Sequence, residues 1–194
     1  MAEALPAEFY ARDVLAVAPD LLGTRLMRCL NGVTISGIIC EVEAYRGEED
    51  LACHARAGRT PRTAVMYGPP GRAYVYFTYG MHWMLNVVCM PENEPSAILI
   101  RAIRPLSGLD LIAARRSGVA AGHWTDGPAK LCRALGIDGA LNGCNLTVPN
   151  GGLWIEAGEI ISPDRVHTSP RIGIDYVPEP WKSRPWRYTF DISH

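Results

Sequence analysis

The sequence predicts a mixed α/β (α+β) fold, a single domain in which antiparallel strands dominate and the few helices are peripheral. Three observations predict it. Runs rich in β-branched and aromatic residues recur between residues 24 and 104, Asn31-Gly32 separates two of them, and helix-start signals are confined to three short stretches.

Residues 24–30 (TRLMRCL) and 33–45 (VTISGIICEVEAY) flank Asn31-Gly32, the dipeptide that best accommodates a two-residue turn, so they pair as a long hairpin. Strand alternation then puts Val33, Ile35, Ile39, Glu41, Glu43 and Tyr45 on one face, with two carboxylates continuing an apolar stripe. A second hairpin joins 72–78 to 83–90 through Tyr79-Gly80-Met81-His82, which places Tyr79 at its tip. Residues 96–104 (SAILIRAIR) form a further strand, in which Arg101 shares a face with Leu99 and Ile103 and is partly buried. Asp13 caps a short helix ending near Gly23, Ser107 caps a segment to about Ser117, and Asp126 caps GPAKLCRALG with Pro128 in its first turn. Asn150-Gly151 marks a candidate hairpin, whereas 163–187, rich in proline, tryptophan and arginine, has no regular pattern.

A chain of 194 residues that is 48% hydrophobic buries one good core, so the domain is expected to span 1–194. The start MAEALPAEFYARD lacks a basic stretch followed by an apolar run, and no stretch has membrane-span length, so a soluble, cytoplasmic protein is expected. The six cysteines, at 29, 40, 53, 89, 132 and 144, form no C-x-x-C pair and read as reduced core residues. Histidines at 54, 82, 123, 167 and 194 lack metal-ligand spacing, and nothing argues for a metal or a cofactor.

The net charge of −1 excludes a protein held to nucleic acid by its overall charge, but the distribution is uneven. Residues 54–72 carry Arg56, Arg59, Arg62 and Arg72 with no acid, while 41–50 carry five acids and one arginine. A basic loop thus follows an acidic strand end.

Glu41 and Glu43 point the same way near the end of an apolar strand, which is expected to raise the pKa of at least one and suits a general base. Strand-end acids are equally at home solvated or paired with arginine, and the pattern leaves both readings open. Arg101 on an apolar face needs a partner, and Glu43 is the natural one. Tyr45, Tyr74, Tyr76 and Tyr79, with His54 nearby, supply flat faces for stacking, although β-propensity explains the first three as well. Tyr79 is different, because a residue at a hairpin tip gains little from core packing and suits a wedge between base steps. Of the two lysines, Lys130 and Lys182, the first falls in the first turn of the Asp126 helix and is a candidate phosphate contact.

EVEAY at 41–45, His54, TPR at 60–62, AYVYFTYGMHWMLN at 73–86, LIRAIRPL at 99–106 and GPAKLC at 127–132 closely resemble the alkyladenine (3-methyladenine) DNA glycosylase family, over about residues 8–190. The resemblance implies one α/β domain around a curved antiparallel sheet, acting without metal or cofactor. It implies a monomer that flips a damaged purine from double-stranded DNA and hydrolyses its N-glycosidic bond. Glu43 then deprotonates the attacking water, Arg101 helps to hold that water, and the main-chain carbonyl of Ile172 touches it. Tyr45, His54 and Tyr76 sandwich the flipped base, Asn86 crowds the amino group of guanine, and Tyr79 is the wedge. Arg59, Thr60, Arg62, Met66, His82 and Lys130 match DNA-contacting positions. Thr63 and His82 depart from residues common in the family, asparagine and tyrosine, which bears on DNA grip. Two other classes remain in view: a non-catalytic damaged-DNA-binding module, and a hydrolase or formyl-group transferase acting on small nucleosides.

Overall fold

Strand β2 (Val33–Arg46) is the spine of the computed structural model, which describes residues 3–191; His194 and the two ends of the expected 1–194 domain lie outside the described residues. β1 (Arg25–Leu30) pairs antiparallel with its first half through the Asn31-Gly32 turn, where both φ angles are positive, at 51° and 79°. This is the hairpin the sequence predicts. β5 (Ser96–Ser107) runs along the opposite edge of β2. The second expected hairpin, β3 (Ala73–Thr78) and β4 (His82–Val88), docks on β5.

β6 (Leu153–Glu156) pairs with β1, and β8 (Arg187–Phe190) pairs with β2 at Glu41–Glu43 and with β7 (Val166–Ser169). The eight strands form one open antiparallel sheet. Two helices, α2 (Val14–Asp20) and α4 (Pro128–Leu135), pack on it; α3 (Leu109–Arg115) leans on α4, and α1 (Ala7–Tyr10) on α2. Ile35, Val42, Ile98, Ile100, Leu131 and Leu135 meet in the core between sheet and helices. The fold class is as the sequence predicts.

Local signals fared unevenly. Asp13 caps α2, its side chain accepting from the Leu15 N–H at 2.9 Å. Ser107 is not a cap: it ends β5, with its Oγ 2.7 Å from Oγ of Ser36, and Gly108 starts α3 at φ +71°. A Cβ there would meet Ile35 at 2.8 Å, so only glycine turns the chain so close to β2. Gly127, not Asp126, precedes α4, although Pro128 opens it as expected. Asn150-Gly151 lies in a 3₁₀ turn and makes no hairpin, since the following β6 pairs with β1. The segment 163–187 holds β7 and leads into β8. All six cysteines are free thiols, but only Cys53, Cys89 and Cys132 are buried as expected; Cys29, Cys40 and Cys144 are half-buried and not core residues.

The main correction concerns the faces of β2 and β5. Ile39 pairs with Ile103, Glu41 with Ala102, and Val42 with Ile100, so Cys40 and then Arg101 are extra residues, one in each strand. Each bulge reverses the alternation beyond it. Ile39 and Val42 both face the core, as do Ile100 and Ile103. Glu41, Glu43 and Tyr45 therefore do not continue the apolar stripe of Ile35 and Ile39, and Arg101 shares its face with Leu99 but not with Ile103. Val33, at the turn, is exposed.

Candidate active site

The two bulges turn Glu43, Tyr45, Leu99 and Arg101 away from the core toward a cavity of about 340 Å³. Its walls include Tyr45, His54, Tyr74, Tyr76, Asn86 and Arg101, with Tyr79 at its rim, Pro128 of α4, and Ile172 to Ile174 and Tyr176 from the irregular segment before β8. Glu43 exposes none of its side chain and is not part of this wall, but three residues that touch it are. The Tyr45 hydroxyl donates to Oε2 of Glu43 at 2.8 Å, the Ile172 N–H donates to Oε1 at 2.8 Å, and Arg101 Nη1 stands 3.3 Å from Oε1. A buried carboxylate is thereby satisfied by one cation and two neutral donors. The expected Arg101–Glu43 pairing is present, with Glu41 added to it.

Glu41 follows the other reading that the sequence leaves open, an acid paired with arginine. Burial pushes its carboxyl up, but Arg187 Nε and Arg101 Nε donate to its Oε1 at 2.7 and 2.6 Å, and together they hold it below the ordinary carboxylate range. It is a bracket between two arginines. The Arg101 guanidinium is raised: burial opposes its charge, but Glu43 and Glu41 outweigh that.

The aromatic wall is polar at its tips. His54 Nδ1 lies 2.9 Å from the Tyr74 hydroxyl, and the His54 and Tyr76 rings meet edge-to-face at 4.5 Å between centroids. Burial, with Arg62 and Arg56 nearby, lowers the His54 pKa to about 4, so its imidazole is neutral at pH 7. Burial also raises the phenols of Tyr45 and Tyr76, which keep their protons. Asn86 is buried, its Nδ2 donating to the Tyr74 carbonyl at 3.0 Å.

Tyr79 is 82% exposed at φ +51°, flanked at the hairpin tip by exposed Met81 and, on β3, by exposed Phe77. Arg62 of the basic loop lies 5.2 Å over the ring of Tyr76, which lines the cavity, whereas Arg59 lies 5.7 Å over Tyr67, which does not. Thr63 is buried as that loop's internal brace, its Oγ1 donating to the Gly58 carbonyl and accepting from the Thr60 N–H, each at 2.8 Å. Met66 is buried in the cavity wall rather than on an outer surface. His82 is exposed opposite Thr78. Lys130 stands in the first turn of α4 with its Nζ 2.8 Å from Asp126 Oδ1. Among the described residues no three His, Cys, Asp or Glu side chains gather as metal ligands do, and no helix is long and apolar enough to cross a membrane.

Sequence reasoning missed Arg171, Asp50, Arg187 and Tyr176. Arg171 forms a buried, two-pronged ion pair with Asp50 and lies 4.7 Å over the Tyr45 ring. The arginine-rich composition of 163–187 was the available signal, but without periodicity it gave no partners.

Residues 8–193 match the family model for methylpurine-DNA glycosylases. The chain is 47% identical over 186 residues to a Carboxydothermus hydrogenoformans protein, covering 95% of this chain and 93% of the relative. It is 44% identical to a Streptomyces avermitilis protein (96% of this chain, 87% of the relative) and 44% identical to one from Methanocella arvoryzae (95% and 90%). All three relatives carry the provisional name 3-methyladenine DNA glycosylase. A match of this length, joined to an acid and an arginine set beneath an aromatic cavity on one face of the sheet, means that the chain belongs to the methylpurine-DNA glycosylase family.

Proposed function

We propose that the protein is a monofunctional glycosylase that releases alkylated purines such as 3-methyladenine, and deaminated or etheno purines, from duplex DNA. The observation that carries this reading is Glu43, a carboxylate with no exposed surface whose three protein partners Tyr45, Arg101 and Ile172 all form part of the wall of an aromatic cavity.

A base inside a duplex is sterically shielded, so the nucleotide must leave the stack, at a cost of a few kcal/mol that is smallest for weakened pairs. Tyr79 fills the space left behind. Tyr45, His54 and Tyr76 take the base, each stacking contact contributing about 1–3 kcal/mol, and tyrosine faces attract a cationic alkylpurine further. Asn86, fixed by its bond to Tyr74, limits room for the amino group of guanine. Arg59, Thr60, Arg62, His82 and Lys130 hold the DNA backbone around the flipped nucleotide, and Met66 serves from within the cavity wall. One chain supplies every group, so the protein acts as a monomer.

In the chemical step Glu43 takes a proton from a water held with Arg101 and the Ile172 carbonyl. The water oxygen bonds to C1′ as the C1′–N bond breaks and its electron pair leaves with the base. A cationic purine departs neutral; a neutral lesion such as hypoxanthine needs a proton on the leaving base. The lysines do not enter: Lys130 and Lys182 pair with Asp126 and Asp175 at 2.8 and 3.0 Å, and neither lines the cavity. The second reading, a damaged-DNA binder without chemistry, draws on the closure of Glu43 from solvent.

The test is incubation in ¹⁸O-water with duplexes carrying one 3-methyladenine, hypoxanthine or ethenoadenine. The proposal requires free base, an intact strand with an abasic sugar labelled at the C1′ hydroxyl, and no covalent adduct after borohydride. Tight lesion binding without base release supports the second reading, and a borohydride adduct overturns the mechanism.

A further inference from the structure

The segment that brings Ile172 to Glu43 has no regular structure of its own. Residues 170–186 form turns, bends and irregular chain, and Ile172 is half-exposed, yet its N–H sits 2.8 Å from Glu43 Oε1. Backbone in an open segment keeps such a position only when something adjacent fixes it.

Arg171 is that anchor. Its guanidinium and the Asp50 carboxylate expose no surface. Nη1 donates to Asp50 Oδ2 at 2.5 Å and to the Ala44 carbonyl at 2.9 Å, while Nη2 donates to Asp50 Oδ1 at 2.9 Å. The group lies between the rings of Tyr45 and Trp186, at 4.7 and 5.0 Å. Asp50 is tied in turn, accepting from the N–H groups of Ala52 and Arg46 at 3.0 and 3.2 Å. One ion pair therefore joins the end of β2, the loop after it and the Ile172 segment. It also backs the ring whose hydroxyl donates to Glu43. Neither partner lines the cavity, so neither touches a bound base.

We propose that the Arg171–Asp50 pair is a positioning device that holds the Ile172 N–H and the Tyr45 hydroxyl on Glu43 and so fixes the direction in which this carboxylate faces its water; the catalytic consequence rests on Glu43 being the general base. Both protein donors to Glu43 other than Arg101 depend on this lock. A buried pair broken on one side leaves an uncompensated charge, which makes the arrangement sensitive to small changes in geometry.

The experiment is amide hydrogen exchange by NMR on the full chain, compared between wild type, Arg171→Lys and Asp50→Asn, with single-turnover excision and affinity for a duplex bearing an uncleavable abasic analogue. Arg171→Lys keeps the charge but loses the two-pronged geometry. Exchange at Ile172 should accelerate by about tenfold or more in both variants while β1 and β5 amides keep their protection. Excision should fall by at least about tenfold at nearly constant duplex affinity. If Asp50→Asn unfolds, Asp50→Glu keeps the charge at a shifted distance and should show the same pattern, more weakly. Unchanged Ile172 exchange, or loss only in step with the core strands, overturns the proposal. A wild type that binds lesions without releasing base defeats the general-base reading alone, because Ile172 exchange still decides whether the pair positions this segment.

Discussion

Arg101 reaches both acids of β2 at once, its Nε 2.6 Å from Oε1 of Glu41 and its Nη1 3.3 Å from Oε1 of Glu43. The bulge that makes Arg101 an extra residue in β5 turns its side chain from the core to the cavity face, where the bulge at Cys40 has already turned the two glutamates. Glu41 then fixes the arginine from one side, with Arg187 bound to the same oxygen.

Replacing Glu41 by glutamine keeps its shape and removes the charge between two arginines. Hydrogen bonds to charged groups contribute about 1.5–3 kcal/mol, so we expect a loss of about 2 kcal/mol in urea unfolding at pH 7. The folded carboxyl lies below its ordinary value of 4.5, so this stabilisation is complete above that pH and is lost as pH falls through the folded value. The gap between wild type and Glu41→Gln should therefore narrow in unfolding curves taken at progressively lower pH below 4.5.

His54 titrates with the opposite chemistry but loses stability on the same side. Its folded pKa is depressed to about 4 from 6.5, so the unfolded chain binds the extra proton between these values. Its contribution is complete above pH 6.5 and is lost as pH falls toward about 4. Wild type should lose more thermal stability than His54→Gln between pH 7.5 and 5, while excision near neutral pH should show no His54 titration.

Tyr79→Ala changes an 82% exposed residue, so stability should stay within about 0.5 kcal/mol. Excision of a well-paired lesion should fall by about tenfold or more, because unstacking costs a few kcal/mol that the wedge offsets. The same lesion opposite a mismatch should suffer less. Equal loss on both duplexes would exclude a wedge.

Much of this architecture is legible in the sequence because its signals are local. Asn31-Gly32 sets the first hairpin, the runs at 72–78, 83–90 and 96–104 become β3, β4 and β5, and Pro128 marks the start of α4. The pairing of Arg101 with Glu43 follows from the need of a half-buried guanidinium for an acid. Bulges are invisible to a count of alternating residues, so plain alternation puts Glu43 and Arg101 on the apolar stripe that the bulges at Cys40 and Arg101 turn them away from. Asp50 and Arg171 lie far apart in the chain and meet only through folding, with no periodicity to join them. Ser107 and Asp126 carry capping chemistry, yet other partners claim their side chains: Ser36 on the neighbouring strand for the first, the sequence neighbours Lys130 and His123 for the second.

The most direct test of the account is single-turnover base release by Glu43→Gln and wild type from the same lesion duplex, each shown to bind a duplex bearing an uncleavable abasic analogue. General-base catalysis contributes about 10²–10⁴-fold, so release should fall by roughly that factor with binding retained. A variant that binds and releases base at the wild-type rate would contradict the role of Glu43 and the mechanism built on it.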